Sequence, residues 1–133
     1  MLEPNNRIVM VSGASRGIGR AVVNRLLAEG YRVSAGLRDP SRLQESENLM
    51  VHAYDATDAA SPVAWVEATV ARWGGVDGLV NAAGINPKVR VTDGEEELLE
   101  EMWRINVKGP LRIIRAALPH LAACGHGRVI NLG

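Results

Sequence analysis

The chain has 133 residues, 47% of them hydrophobic, and its 15 basic side chains balance 15 acidic ones. This length fits one domain with its own core, and the balanced charge argues against nucleic acid or an anionic membrane as a partner. The single cysteine excludes an internal disulfide and a cysteine-rich metal site, and no apolar run reaches the about 20 residues that span a bilayer. The N-terminus lacks the apolar run of a signal peptide, so we expect a cytoplasmic protein.

Residues 8–19 predict a strand, a glycine turn and the start of a helix. The apolar residues 8–11 are typical of a buried strand, and Gly13, Gly17 and Gly19 follow with the spacing G-x-x-x-G-x-G. The N–H groups of a first helical turn lack partners within the helix, and the helix dipole favours negative charge there. Glycines permit positive φ and a close approach of phosphate to the backbone. The stretch therefore predicts a nucleotide phosphate cradle rather than a plain structural turn.

Strand and helix patterns alternate along the rest of the chain. Helices are predicted over residues 18–29, 41–48, 63–73, 95–104 and 111–123, and strands over residues 31–37, 49–54, 76–81 and 128–132. This alternation predicts one α/β domain over residues 1–133, a Rossmann-type doubly wound parallel sheet of which the first five strands are present. In such a sheet, ligands bind beyond the carboxyl ends of the strands.

Local signals predict where these helices begin, end and bend. Gly30 is expected to cap the first helix at its C-terminus. Ser61 is expected to be the N-cap of the helix over residues 63–73, with Pro62 at its first helical position. A kink is expected at Asn106, where the acidic helix continues into the apolar one.

The end of the second strand indicates which dinucleotide binds. A free ribose hydroxyl usually meets an Asp or Glu about 20 residues beyond the glycines, where this chain has Leu37 and Arg38. Arg16 stands inside the glycine turn, and two guanidinium groups can clamp a 2′-phosphate. The alternative is that both arginines are solvated surface residues and that Asp39 neutralises Arg38. We predict NADP, with NAD as the weaker candidate.

The motifs together resemble those of the short-chain dehydrogenase/reductase family. Residues 12–19 look like the family's cofactor-binding signature, residues 81–84 like its N-N-A-G segment, and residues 127–133 like its fifth strand. Asp55 stands where the family has an acidic residue that meets the adenine ring. Asn106 resembles the asparagine of the catalytic tetrad, which holds a water molecule in the proton relay.

This resemblance, with the predicted sheet, implies a set of site residues. Asn106 is the catalytic candidate. The expected cofactor-binding residues are Gly13, Ser15, Arg16, Gly17, Ile18, Gly19, Arg38, Asp55, Ala56, Asn81, Ala82, Ala83 and Gly84.

The sequence departs from the family pattern in two places. Ala82 replaces the second asparagine of N-N-A-G. In the family a serine follows the fifth strand and a Tyr-x-x-x-Lys pair lies on the next helix, whereas this sequence ends at Gly133 and neither Tyr31 nor Tyr54 has a lysine four residues later. The tyrosine transfers the proton, and the lysine lowers the tyrosine pKa.

We therefore expect the cofactor-binding part of a longer NADP-dependent carbonyl/alcohol oxidoreductase, with its C-terminal strands and helices missing. The 133 residues are expected to be inactive alone, and the full-length enzyme to be a homo-oligomer, a dimer or tetramer.

Two other functions stay open. A non-catalytic dinucleotide-binding module would keep the cradle without the acid/base pair. A Rossmann methyltransferase that binds S-adenosylmethionine is the other, although Arg16 and Arg38 weigh against it because that cofactor has no phosphate. No metal site is predicted, since the three histidines lie on different elements, and Cys124 is expected to be an inert thiol.

Overall fold

The computed structural model describes residues 3–133, so Met1 and Leu2 of the predicted domain lie outside the described residues. The strands are β1 (Ile8–Ser12), β2 (Arg32–Leu37), β3 (Leu49–Ala53), β4 (Gly78–Asn81) and β5 (Arg128–Asn131). The helices are α1 (Gly17–Ala28), α2 (Ser61–Trp73), α3 (Glu96–Trp103) and α4 (Gly109–Ala123), with a 3-10 turn at Pro40–Arg42 and a π-helical turn at Arg104–Lys108. Within residues 3–133, no helix combines the length and the apolar character needed to cross a membrane.

The five strands form one parallel sheet in the order β3-β2-β1-β4-β5. Every residue of β1 is buried, because β1 lies at the centre with β2 on one side and β4 on the other. The chain moves outward from β1 in opposite directions, so the strand order reverses between β1 and β4. Such a reversal opens a crevice at the carboxyl edge of a parallel sheet. The predicted Rossmann-type doubly wound sheet is confirmed.

Helices cover both faces of the sheet. Alternate residues of β1 point to opposite faces, so Val11 packs in one core with Val23 of α1, and Met10 packs in the other with Trp65 of α2. Trp65 is fully buried, and a Cβ atom at Gly36 would come within 2.7 Å of its ring. The glycine in β2 therefore makes room for the largest side chain of the second core.

The predicted helix over residues 41–48 is wrong. Only a 3-10 turn forms there, and the Asp39 carboxylate caps it by accepting the N–H of Ser41 at 3.1 Å. Leu43 is the single apolar residue in the segment, and it is buried. One apolar side chain provides too little buried surface to stabilise an amphipathic helix.

The predicted N-cap of α2 is also wrong, by one residue. Ala60 is the N-cap, and Ser61 is already helical. The Ser61 hydroxyl instead accepts the N–H of Asp55 at 2.9 Å. The helix starts early because the Asp58 carboxylate accepts the N–H of Ala60 at 2.9 Å.

Two other local predictions are confirmed. Gly30 has φ +95° and follows the last turn of α1, where its N–H donates to the Leu27 carbonyl and that of Tyr31 donates to the Leu26 carbonyl. These two bonds are the Schellman pattern at a helix end. The kink predicted at Asn106 is the π-helical turn between α3 and α4.

Candidate cofactor-binding site

The turn between β1 and α1 presents the first amides of α1 to solvent. Arg16 is the N-cap residue, its backbone is extended, and its side chain makes no capping hydrogen bond within residues 3–133. Gly17 has φ +60°, and a Cβ atom built there would meet nothing within 4 Å among the described residues apart from its chain neighbours and the backbone of its own helix. An uncapped helix start with open space beside it suits an anion such as a pyrophosphate.

Gly13 and Gly19 shape the turn by close packing. A Cβ atom at Gly13, where φ is +65°, would lie 2.7 Å from the backbone nitrogen of Ala83. A Cβ atom at Gly19 would overlap the carbonyl oxygen of Gly13. Both contacts are with backbone, which cannot rotate away as a side chain can. The glycine turn, the start of α1 and the loop after β4 therefore pack together only without these side chains.

Ser12 fastens this turn to the loop after β4. Its side chain is 1% exposed, and its Oγ accepts the N–H groups of Ala82 and Ala83, each at 3.1 Å. Sequence reasoning missed this role because the two partners are 70 and 71 residues away along the chain. The available signal was a hydroxyl residue at the end of an otherwise apolar strand, directly before the first glycine.

Asn106 holds the next part of the same loop. Its Oδ1 accepts the N–H of Ile85 at 2.9 Å, and its Nδ2 donates to the Ile85 carbonyl at 2.6 Å. The paired bonds connect the π-helical turn to the loop, and a Cβ atom at Gly84 would lie 3.2 Å from the Asn106 Oδ1. By these contacts Asn106 positions the loop, and its amide cannot titrate.

Asn81 lies inside the sheet. It is 4% exposed, and its Nδ2 donates to the Oδ1 of Asn131 at 2.8 Å, which ties β4 to β5. Its own Oδ1 has no partner in the part of the chain that the structure describes. Ala82, Ala83 and Gly84 are more exposed than Asn81.

Arg16 and Arg38 follow neighbouring strands and are both exposed. The N–H of Ala14 donates to the carbonyl of Gly36 at 3.4 Å, so the glycine turn lies against the carboxyl end of β2. No ion pair among residues 3–133 involves either arginine. Both guanidinium groups are therefore available to an anion.

The Asp39 carboxylate contacts Ser41 and Arg42 rather than Arg38. Its Oδ1 accepts the hydroxyl of Ser41 at 2.6 Å and the N–H of Ser41 at 3.1 Å, while its Oδ2 lies 3.9 Å from the Arg42 guanidinium. The Ser41 hydroxyl, the Ser41 N–H and the Arg42 charge hold the pKa of Asp39 below its usual range. The alternative in which Asp39 neutralises Arg38 is not what the structure has.

Asp55 stands at the end of β3 as a fixed carboxylate. Its Oδ1 accepts the Thr57 hydroxyl at 2.7 Å and the Thr57 N–H at 2.9 Å. These two bonds hold the pKa of Asp55 below its usual range, and the nearby charge of Arg38 lowers it further. Asp55 is therefore ionised at neutral pH, whereas Ala56 beside it is buried in the second core.

The predicted site residues fall in two groups along the carboxyl edge of the sheet. One group lines a cavity of about 850 Å³ between the β4 loop, α4 and the end of β5: Ile18, Asn81, Ala82, Ala83, Gly84 and Asn106. The other group lies around the ends of β1, β2 and β3: Gly13, Ser15, Arg16, Gly17, Gly19, Arg38, Asp55 and Ala56.

The chain matches the family model described as short chain dehydrogenase over residues 7–133. It is 39% identical over 131 residues to an agropine synthesis reductase of Rhizobium rhizogenes, an alignment that covers 94% of this chain and 30% of that protein.

Solved structures show the same fold. A short-chain dehydrogenase from Streptomyces avermitilis superposes with a TM-score of 0.88 at 31% identity, over 94% of this chain and 48% of that one. An alcohol dehydrogenase from the archaeon Thermococcus sibiricus, complexed with 5-hydroxy-NADP, superposes with a TM-score of 0.86 at 30% identity, over 94% and 57%. The chain thus spans less than two thirds of the length of each of these relatives.

Proposed function

The chain belongs to the short-chain dehydrogenase family, and from that premise we propose that it binds NADP for an oxidoreductase acting on a carbonyl or alcohol substrate. The observation that carries the proposal is two exposed arginines that take part in no ion pair among residues 3–133: Arg16 at the uncapped start of α1, and Arg38 directly after the neighbouring strand β2. The glycine packing of that turn supports it, since the space above Gly17 stays open to a ligand.

Each part of the cofactor has a proposed place along the carboxyl edge. The amides at the start of α1 would hold the pyrophosphate. Arg16 and Arg38 would hold the 2′-phosphate, and Asp55 would face the adenine ring. The loop held by Ser12 and the turn that carries Asn106 border the cavity where the nicotinamide and substrate would meet.

The choice of NADP over NAD rests on charge. The end of β2 carries Arg38 where an acidic residue would bind a free ribose hydroxyl. Asp39 bonds to Ser41 and lies beside Arg42, so it does not hold the Arg38 guanidinium in an ion pair. A phosphate matches the fork of a guanidinium group in geometry as well as in charge.

The chemistry divides between the cofactor and the protein. When bound, the cofactor supplies or accepts the hydride. The protein must move a proton, and within these 133 residues neither tyrosine has the lysine partner that lowers its pKa. We therefore propose that these residues bind the dinucleotide without turning over a substrate by themselves. A second candidate is a non-catalytic dinucleotide-binding module, which the glycine turn and the uncapped start of α1 support equally.

The cofactor proposal is tested by titrating NADPH and NADH into the chain and into Arg38→Gln. Loss of a charge-assisted hydrogen bond should weaken NADPH about 10- to 100-fold and leave NADH nearly unchanged. Arg42→Gln is the matched control. Arg42 is also an exposed arginine close to Arg38 in the chain, but it lies beside Asp39 and is not part of the proposed phosphate clamp. Equal weakening of both cofactors by Arg38→Gln would refute the phosphate clamp.

Substrate turnover separates the two candidate functions. NADPH consumption in the presence of a carbonyl panel is measured for the 133 residues and for any longer natural form of the protein. Consumption by the longer form alone supports the oxidoreductase. Tight NADPH binding without consumption by either form supports the binding module, and turnover by the 133 residues would contradict our account of the missing proton donor.

We also propose that the enzyme assembles as a homo-oligomer through α4. Leu111 and Leu118 of this helix are 43% and 54% exposed, although both are apolar. Exposed apolar side chains on the outer face of a helix suit a contact with a second copy. Sedimentation measures the oligomeric state of the enzyme, which the substitution Leu118→Asp should lower.

A further inference from the structure

Three side chains that can bind a transition metal meet at the amino edge of the sheet, opposite the cofactor site. Asp77 precedes β4, Cys124 ends α4, and His126 precedes β5. A carboxylate oxygen, the thiol sulfur and a ring nitrogen of these residues all lie within 4.8 Å of one another. We propose that Asp77, Cys124 and His126 form a zinc site.

The carboxylate is already fixed in position. Its Oδ2 accepts the N–H of Ile8 at 2.8 Å, and its Oδ1 lies 2.9 Å from the Nε2 of His126. The backbone of Asp77 is held as well, because its N–H donates to the Ile8 carbonyl and its carbonyl accepts the N–H of Arg128. A ligand held by its surroundings before the metal arrives loses little freedom on binding.

The ligand atoms lie within 4.8 Å of one another, so a tetrahedral ion requires some of them to move together by up to about an ångström. Zinc binds sulfur at about 2.3 Å and nitrogen or oxygen at about 2.0–2.2 Å, which places neighbouring ligand atoms roughly 3.3–3.6 Å apart. Asp77 Oδ1 and His126 Nε2 lie 2.9 Å apart, so they need to move apart by a few tenths of an ångström. The Cys124 sulfur needs to leave its hydrogen bond to the Leu121 carbonyl, which is 3.2 Å long.

The donor set favours a transition metal over a hard cation. Thiolate and imidazole favour zinc over the hard cations magnesium and calcium, which take oxygen ligands. One thiolate and one carboxylate neutralise a divalent ion, and imidazole binds as the neutral base. All three residues are partly exposed, so a water molecule can complete the fourth position.

The proposed site is an open one, with three protein ligands and one water, unlike the closed four-ligand sets of structural zinc sites. The ion would join the start of β4, the end of α4 and the start of β5, and through the Asp77 bond to Ile8 it would reach the start of β1. The site lies at the edge of the sheet away from the crevice, so it stands independently of the proposed cofactor function.

Cobalt is the probe that tests the site. Titration of Co²⁺ into the reduced chain should give a thiolate-to-cobalt charge-transfer band and the visible bands of a tetrahedral ion, both abolished by Zn²⁺. Cys124→Ser and His126→Gln should each weaken zinc binding by more than roughly 100-fold. That figure is the largest loss expected when the residue removed only hydrogen-bonds to a metal ligand. His120→Gln, which alters a histidine of α4 outside the trio, should bind as the parent does.

A second measurement distinguishes the loss of a zinc ligand from a folding defect in the variant. Zinc should raise the Tm of the parent and of His120→Gln but not that of Cys124→Ser, because a ligand stabilises only the protein that binds it. The absence of a thiolate–cobalt band in the parent would overturn the proposal. So would an unchanged zinc affinity in a folded Cys124→Ser variant, or loss of binding in His120→Gln.

Discussion

Removing the Ser12 hydroxyl should separate the glycine turn from the loop after β4. The hydroxyl is buried and accepts two N–H groups, those of Ala82 and Ala83, at 3.1 Å each. Ser12→Ala leaves both donors without an acceptor, and each unsatisfied buried donor costs about 1–3 kcal/mol. Because both amides are only partly buried, we take the low end of that range. The free energy of unfolding should therefore fall by about 2–3 kcal/mol.

Urea denaturation measures this loss, with an unchanged slope if the change is in stability alone. Ser12→Thr is the control, because it keeps the hydroxyl and should stay closer to the parent than Ser12→Ala. Hydrogen exchange at Ala82 and Ala83 should accelerate in Ser12→Ala only. A Ser12→Ala variant within about 0.5 kcal/mol of the parent, the range of an ordinary surface substitution, would refute the reasoning.

Two further predictions concern the loop and the second core. Asn106→Ala should lower the free energy of unfolding by about 1–2 kcal/mol and accelerate hydrogen exchange at Ile85, since both hydrogen bonds to that residue are lost. Unchanged exchange at Ile85 would contradict this. Burial, aided by the Asp55 charge, raises the pKa of Tyr54 from 10.0 to about 12. The folded state thus holds the Tyr54 phenol proton more tightly than the unfolded chain does. The contribution of this group to the free energy of unfolding is therefore fully present below pH 10 and is lost as the pH rises through about 12. The loss approaches about 3 kcal/mol, and Tyr54→Phe should abolish it in urea denaturation between about pH 9 and about pH 12. The same alkaline loss in Tyr54→Phe would show that another group causes it.

Features that depend on neighbours in the chain were predictable from the sequence. The glycine spacing after β1, the cap at Gly30 and the bend at Asn106 each act within a few residues. The sheet followed as well, because alternating strand and helix patterns leave few topologies for a parallel sheet.

Features decided by competition between alternative hydrogen-bond or packing partners were not predictable from the sequence. Ser61 has the chemistry of an N-cap, but Asp58 starts the helix earlier and the N–H of Asp55 takes the hydroxyl. Residues 41–48 carry polar side chains that a helix tolerates, yet with Leu43 as their one apolar residue they lack a face to bury. The preference of one residue cannot rank such alternatives without the positions of the others.

The candidate site shows the same division. That its residues lie at the carboxyl edge follows from topology, whereas the bonds from Ser12 and Asn106 that hold the loop could be found only in three dimensions.

The topological rule that predicts the candidate cofactor site at the carboxyl edge of the sheet applies equally to the amino edge. Parallel strands begin at one edge just as they end at the other, so residues that precede neighbouring strands must also be neighbours. Asp77 and His126 precede β4 and β5, which pair, and their side chains meet although they are 49 residues apart in the chain. Cys124 joins them because α4 has to return to this edge before β5 can start. A search for short metal motifs cannot find such a trio, whereas comparing the residues before adjacent strands would have brought Asp77 and His126 together from the sequence alone.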